Sequence, residues 1–164
     1  MADRLSILTK EEVRSLYSIP MLDDEERSFL FTLDEIDKTY LQSLKKDIAR
    51  KVNYILQLGY YRAVNYFFRF SFQKQREDVE FILKQYFPDT PFPKKQISKN
   101  HHYDNRTKVM KKYGLVDSDS DFADELLKEA TSSAKRHALP KFVLQELLGY
   151  CLQKNIIRPA YSTL

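Results

Sequence analysis

Thr32–Leu56 reads TLDEIDKTYLQSLKKDIARKVNYIL. Thr32 stands three residues before Glu35, the spacing at which a hydroxyl and a carboxylate cap a helix start reciprocally. Leu33, Ile36, Tyr40, Leu41 and Leu44 then fall at helical intervals and are expected to point inward. From Lys45 the pattern resumes with Ile48, Val52, Ile55 and Leu56 on one face, while Lys45, Lys46, Arg50 and Lys51 lie mostly off it. This predicts an amphipathic helix with a basic flank. Upstream, Thr9-Lys10-Glu11-Glu12 repeats the capping signature ahead of Val13, Leu16 and Tyr17, and Pro20 stops that helix. Asp23-Asp24-Glu25-Glu26 between them reads as a solvated acidic turn.

Downstream, Gly59-Tyr60-Tyr61-Arg62 leads into Tyr66–Phe72, where Phe68, Phe70 and Phe72 alternate as in a strand. An extended linker packed on the core is the preferred reading. Glu77–Tyr86 predicts a helix with Val79, Ile82, Leu83 and Tyr86 inward, ended by Phe87-Pro88 and the turn Thr90-Pro91-Phe92-Pro93. Gly114 suits the residue after a helix. Asp117–Asp121 precedes a helix with Phe122, Leu126, Leu127 and Ala130 inward, and Pro140 opens another through Phe142, Val143, Leu144, Leu147, Leu148, Cys151 and Leu152. With only 3 Gly and 6 Pro in 164 residues, and 43% of them hydrophobic, the chain has the means to fold and few strand-and-turn signals. The expectation is a mainly α, compact multi-helix module of two small helical lobes, residues 1–74 and 75–164, with helix-turn-helix-like packing. A single continuous domain is the alternative.

Several chemistries find no support. Cys151 is the only cysteine, so an intrachain disulfide or a cysteine-based zinc framework has no ligands, and a reducing, cytoplasmic setting is expected. Its place on the inward face of the most apolar helix suits a small core residue, not a nucleophile. Met1-Ala2-Asp3-Arg4 opens no secretory signal, and no apolar run approaches the roughly 18 residues of a membrane span. Asp117, Asp119 and Asp121 mimic a calcium loop, but Phe122 stands where that loop needs Gly and Lys128 where it needs Glu. His101 and His102 are adjacent, so they do not share a helix face as zinc-binding pairs do. Gly59, Gly114 and Gly149 are too scattered for a phosphate loop. Tyrosine recombination needs a His-x-x-Arg pair, and His101, His102 and His137 are followed at that spacing by Asp104, Asn105 and Pro140. No cofactor, metal, small-molecule substrate or catalytic residue is therefore expected.

Charge is uneven. The net +4 divides into −4 over residues 1–47, +9 over 48–112 and −1 over 113–164, so a polyanion would meet the middle of the chain. Lys94–Tyr113 holds seven Lys or Arg, two His and the single acid Asp104, with Tyr103 and Tyr113 interleaved. Such a stretch suits phosphate contact and, through Arg or Lys, base edges. It equally describes a solvated charged face, and composition does not choose between them. The same two readings stand for Lys45, Lys46, Arg50 and Lys51. The aromatics Tyr60–Phe72 suit stacking on single-stranded bases or core packing, and are assigned to packing.

A further set of matches runs in order along nearly the whole chain. They are Ile7-Leu8-Thr9; Phe31-Thr32-Leu33 with Asp37; Ile55-Leu56-Gln57-Leu58-Gly59-Tyr60-Tyr61-Arg62; Asp78-Val79 with Ile82; Arg106 followed by Lys112-Tyr113-Gly114; and Arg158-Pro159-Ala160-Tyr161-Ser162-Thr163-Leu164. On these the chain resembles the N-terminal region of class II replicative transposases, the Tn-three family. Many relatives carry an Arg-Leu-Gly-Phe-like run where this chain has Arg50–Tyr54, and a shorter segment in place of Tyr66–Phe72. The resemblance implies a bacterial, non-catalytic region that recognises the terminal inverted repeats of a transposon. Its partners would be double-stranded DNA and the rest of the transposase, whose acidic metal-binding triad lies several hundred residues further on. It places Arg106 and Lys108 at the groove, Lys94, Lys95, Lys99, Lys111 and Lys112 on phosphates, and Arg50, Lys51 and Arg62 in a second set. A protein-interaction or self-assembly module of the transposase, using the acidic N-terminal helices and exposed aromatics, is the alternative.

Overall fold

The computed structural model describes residues 7–118 and 120–161, the side chains of residues 120 and 121 excepted. Met1–Arg4, Asp119 and Ser162-Thr163-Leu164, on which parts of the sequence reading rest, lie outside the described residues, as does the side chain of Asp121. The protein is mainly helical, as its composition predicts. Among the described residues the helices are α1 (Lys10–Tyr17), α2 (Asp24–Leu30), α3 (Glu35–Ser43), α4 (Ile48–Val64), α5 (Arg76–Tyr86), α6 (Lys99–Tyr113), α7 (Ser120–Ala134) and α8 (Pro140–Gln153). The one β feature among them is an isolated parallel bridge between Val116 and Ile156.

The helix starts follow from short polar side chains. Thr9 and Glu12 cap α1 reciprocally, as the sequence predicts. Asp23–Glu26 is not a turn: Asp23 and Glu26 form a capping box that opens α2. The box expected of Thr32 and Glu35 belongs instead to Asp34 and Asp37. Thr32 is engaged elsewhere, its hydroxyl donating to the Phe29 carbonyl at 2.9 Å as α2 ends, so α3 begins after Asp34. The Gly59–Arg62 run lies within α4, which continues to Val64 and ends on Asn65 in the left-handed region (φ 54°). Gly114 follows α6 with φ 62°, the conformation its position predicts.

The chain divides into two compact units. One comprises Ile19–Lys112 and is organised by α4, in which Val52–Tyr60 are buried without interruption. The expected one-faced amphipathic helix is therefore enclosed on all sides over this span. It packs against α2 and α5, and hydrogen bonds join it to α3 and α6. Gly59 allows the closest approach: a Cβ there would lie 2.3 Å from two ring carbons of Phe31, which is itself buried. Residues 65–71 are irregular; Phe68 within them and Phe72 just after them are buried. In α5, Val79, Ile82 and Leu83 are inward, as their spacing predicts. The boundary expected between residues 74 and 75 falls inside this unit, because α4 and α5 pack on one another across it.

The other unit comprises Met1–Ser18 and Tyr113–Leu164. Its α7 and α8 pack together around Leu126, Leu147, Cys151 and Ile156, with Phe122 and Tyr150 against them. Leu127, Phe142 and Leu152 are exposed instead of inward, since each helix buries only one stripe. α1 is tied to the C-terminal part by an ion pair from Lys141 to Glu12 and by Tyr17 Oη, which donates to the Pro159 carbonyl at 3.0 Å. Burial pushes the Cys151 thiol up to about 11, so it is held as a neutral core group. No helix among the described residues is long and apolar enough to cross a membrane.

Candidate nucleic-acid interface

A cleft of about 570 Å³ opens in the Ile19–Lys112 unit between the irregular segment Phe67–Phe70 and the segment Gln96–Arg106, which includes the first half of α6. Its inner wall is set by buried amides. Asn105, fully buried, donates to the Arg50 carbonyl and to Asn53 Oδ1, both at 2.9 Å, and accepts from Tyr40 Oη at 2.7 Å. Asn53 Nδ2 lies 3.0 Å from His102 Nδ1, and Gln57 Nε2 donates to the His102 carbonyl at 3.0 Å. Polar groups enclosed this way hold position because losing one partner strands the others. The His102 ring also meets Phe70 edge-on at 5.6 Å. Its burial, and then the charges of Arg106 and Arg69, lower its pKa, so the positive charge here belongs to the guanidinium and ammonium groups.

Three cations line the cleft: Arg69, Lys99 and Arg106. Arg69 and Lys99 are exposed. The Arg106 guanidinium lies over the Phe67 ring at 5.2 Å, and Phe67 stacks on Tyr61 at 5.2 Å with planes 16° apart. Tyr103 completes the lining and is 61% exposed.

The opposite end of α6 is built differently. Lys112 donates to Asp34 Oδ2 at 2.6 Å and to Asp37 Oδ2 at 2.7 Å, with its side chain only 11% exposed. Burial alone would lower its pKa; the two carboxylates outweigh this and raise it. The Lys112 hydrogen bond holds Asp34 down to about 2. Asp37, fully buried, also accepts from Tyr54 Oη at 2.7 Å, and Arg62 approaches it at 3.8 Å. A second buried charge sits at Asp78, which takes Arg27 Nε at 2.8 Å and the Tyr60 hydroxyl.

A family profile described as a domain of unknown function, DUF4158, matches residues 7–164. The chain is a DUF4158 domain. No curated protein and no solved structure matches it.

The DUF4158 chain separates the ten residues expected to touch DNA. Lys94, Lys95, Lys99, Lys108 and Lys111 are exposed, and among the described residues no salt bridge takes up Lys94, Lys95, Lys99 or Lys111. Lys108 lies over the Tyr40 ring at 5.3 Å. Arg106 faces the cleft, and Lys51 is half-buried, its ammonium 5.8 Å from the Phe87 ring centre. Three are engaged internally. Lys112 pairs with Asp34 and Asp37; Arg62 donates to the Leu30 and Thr32 carbonyls at 2.9 and 2.6 Å; Arg50 reaches Asp104 at 3.3 Å with its side chain mostly covered. Arg69 is not one of the ten, although it is the single charged residue in the aromatic run Tyr66–Phe72. That isolation is its only signal in the sequence. The assignment of the aromatics Tyr60–Phe72 to packing holds for Tyr60, Phe68 and Phe72, which are buried, while Phe67, Phe68 and Phe70 also line the cleft.

Proposed function

We propose that this domain is the DNA-binding N-terminal region of a replicative transposase, recognising the terminal inverted repeats of its element and leaving strand chemistry to another part of that protein. The observation that carries the reading is the accumulation of accessible cations on and beside α6: Lys94, Lys95, Lys99, Lys108 and Lys111 are exposed, with Arg69 and Arg106 at the adjacent cleft. Each phosphate neutralised by such a group releases counterions, which gives affinity and salt dependence. The ordered resemblance to Tn-three family transposases supplies the kind of DNA. In this reading Lys112, Arg62 and Arg50 hold the fold, and the phosphate contacts fall to the exposed lysines.

The test is binding of the whole chain to a labelled duplex carrying the element's terminal inverted repeat, against a scrambled duplex, at two salt concentrations. Tighter binding to the repeat that weakens as salt rises is expected; equal or absent binding refutes end recognition. A second reading, a protein-interaction or self-assembly module, draws on Met21 and Phe29, which are 99% and 76% exposed on either side of the acidic start of α2. Concentration-dependent dimerisation with no DNA affinity would favour it.

A further inference from the structure

The cleft beside α6 has the wrong form for a duplex and the right one for part of a single strand. A B-form helix presents its phosphates on a convex surface and keeps its bases stacked inside, so it lies across a protein face without filling a pocket. At about 570 Å³ the cleft is in the range of sites that enclose small organic groups, roughly 300–1,000 Å³. Its lining combines what single-stranded nucleic acid needs, cations for the backbone and an aromatic surface for a base. Tyr103 is the notable member. It is 61% exposed, and among the described residues its ring joins no aromatic pair and its hydroxyl no hydrogen bond, so most of its surface is open to the cleft and solvent. Its neighbour His102 is fixed by Asn53 and Gln57, which makes the wall behind it a preformed one. Arg69, Arg106 and Lys99 all line this space, so two guanidinium groups and an ammonium are at hand for one anionic group.

We propose that this cleft captures one unpaired nucleotide of the bound DNA, its base stacked on Tyr103 and its phosphate held by Arg69, Lys99 and Arg106. The inference rests on the DNA-binding reading above and gives it a second element, a preference for a duplex with an unstacked or frayed end. Base stacking on an aromatic is tolerant of sequence, so the cleft senses strand state while the exposed lysines hold the duplex backbone.

The experiment compares binding of the whole chain to a blunt inverted-repeat duplex and to the same duplex ending in a short single-stranded extension that carries 2-aminopurine. A gain on the order of tenfold for the extended duplex is expected, the contribution of one stacked base, with quenching of the 2-aminopurine emission. Tyr103→Ala should abolish the gain and the quenching while leaving blunt-duplex affinity within about twofold, and Tyr103→Phe should restore both. Unchanged thermal unfolding of the two variants establishes that the fold is intact. A blunt duplex bound with no gain from the extension, or a gain that survives Tyr103→Ala, overturns the cleft assignment and leaves the duplex reading standing. Binding of the single strand alone, with no duplex affinity, supports the cleft and defeats the duplex reading; no binding to either defeats both. Deoxyadenosine monophosphate that binds as tightly as the extended duplex would show a free-nucleotide site and overturn capture from DNA.

Discussion

At the C-terminal end of α6 the Lys112 ammonium is enclosed by Asp34 and Asp37 at 2.6 and 2.7 Å, whereas in the N-terminal half Lys99 is exposed and Arg106 faces a cleft that also holds Arg69 and Tyr103. One basic helix thus serves two ends. What separates them is the location of the acids. Asp37 is fully buried, so it requires cations and donors and draws in Lys112, Arg62 and Tyr54. Among the described residues the cleft lining holds no acid, so nothing there matches the enclosure that Asp34 and Asp37 give Lys112, and Arg69 and Lys99 stay exposed.

The sharpest way to break this comparison is to remove the acid. Asp37→Ala leaves Lys112, Arg62 and the Tyr54 hydroxyl without their shared partner, and a loss of about 3–5 kcal/mol in unfolding free energy is expected in urea titrations. A loss below about 1 kcal/mol would mean that Lys112 behaves like a surface lysine. Next in size, Lys112→Ala should cost about 1–3 kcal/mol, the range for a charge-assisted hydrogen bond whose partner stays buried. It should leave inverted-repeat affinity nearly unchanged. The double variant Arg69→Ala/Lys99→Ala should do the reverse, holding stability within about 0.5 kcal/mol. Its affinity for the repeat duplex with a single-stranded extension should fall about tenfold, and the log–log salt slope of that binding by about 0.7, the value for one single-strand phosphate that no longer meets a cation. If both variants weakened DNA binding equally, the division of α6 would be wrong.

The smallest effect concerns acid. Asp34 is held at about 2 against an ordinary 3.8. A depressed carboxylate stabilises the fold above its unfolded value, and that contribution is lost as pH falls from about 4 toward 2. The Asp34 side chain is half exposed, so screening keeps the contribution small. Between pH 5 and 2 the melting temperature of the native protein should fall slightly more than that of Asp34→Asn; parallel curves would remove the Lys112–Asp34 pair from the stabilising interactions. Lys112 has the opposite sign: its raised pKa adds stability that is complete below 10.5 and is lost only as pH climbs beyond it.

Local chemistry made much of the fold legible. Thr9 with Glu12, the spacing of Val79, Ile82 and Leu83, and Gly114 after α6 each act within one or two turns of chain, and each reads correctly. Long-range pairing was not legible. Helical periodicity assigns Ile36 inward, but that residue is 68% exposed. The neighbouring Asp37 turns in because Tyr54 and Lys112 meet it, and Lys112 lies 75 residues away. The same blindness hid the internal partners of Lys112 and Arg62, since a basic run displays its charges and not their partners. Cleft membership was hidden for a related reason. Arg69 and Arg106 come together through the packing of α4, whose Asn53 fixes both Asn105 and His102, and no local signal marks Asn53 as anything but a polar residue on a helix.

The unit built from Met1–Ser18 and Tyr113–Leu164 brings together the two extremes of this sequence, with all of Ile19–Lys112 lying between them along the chain. On the ribosome, the partners that α4 meets in α2, α3, α5 and α6 are in place once Lys112 clears the exit tunnel, whereas α1 must wait for α8 before Glu12 can meet Lys141. Joining segments so distant carries a loop-closure cost that grows only slowly with length, and early folding of Ile19–Lys112 shortens the effective loop. α1, made before α2–α6, therefore settles after them, and a chain arrested near Lys112 would present an ordered α4 core while Leu8, Val13 and Tyr17 remained open to chaperones.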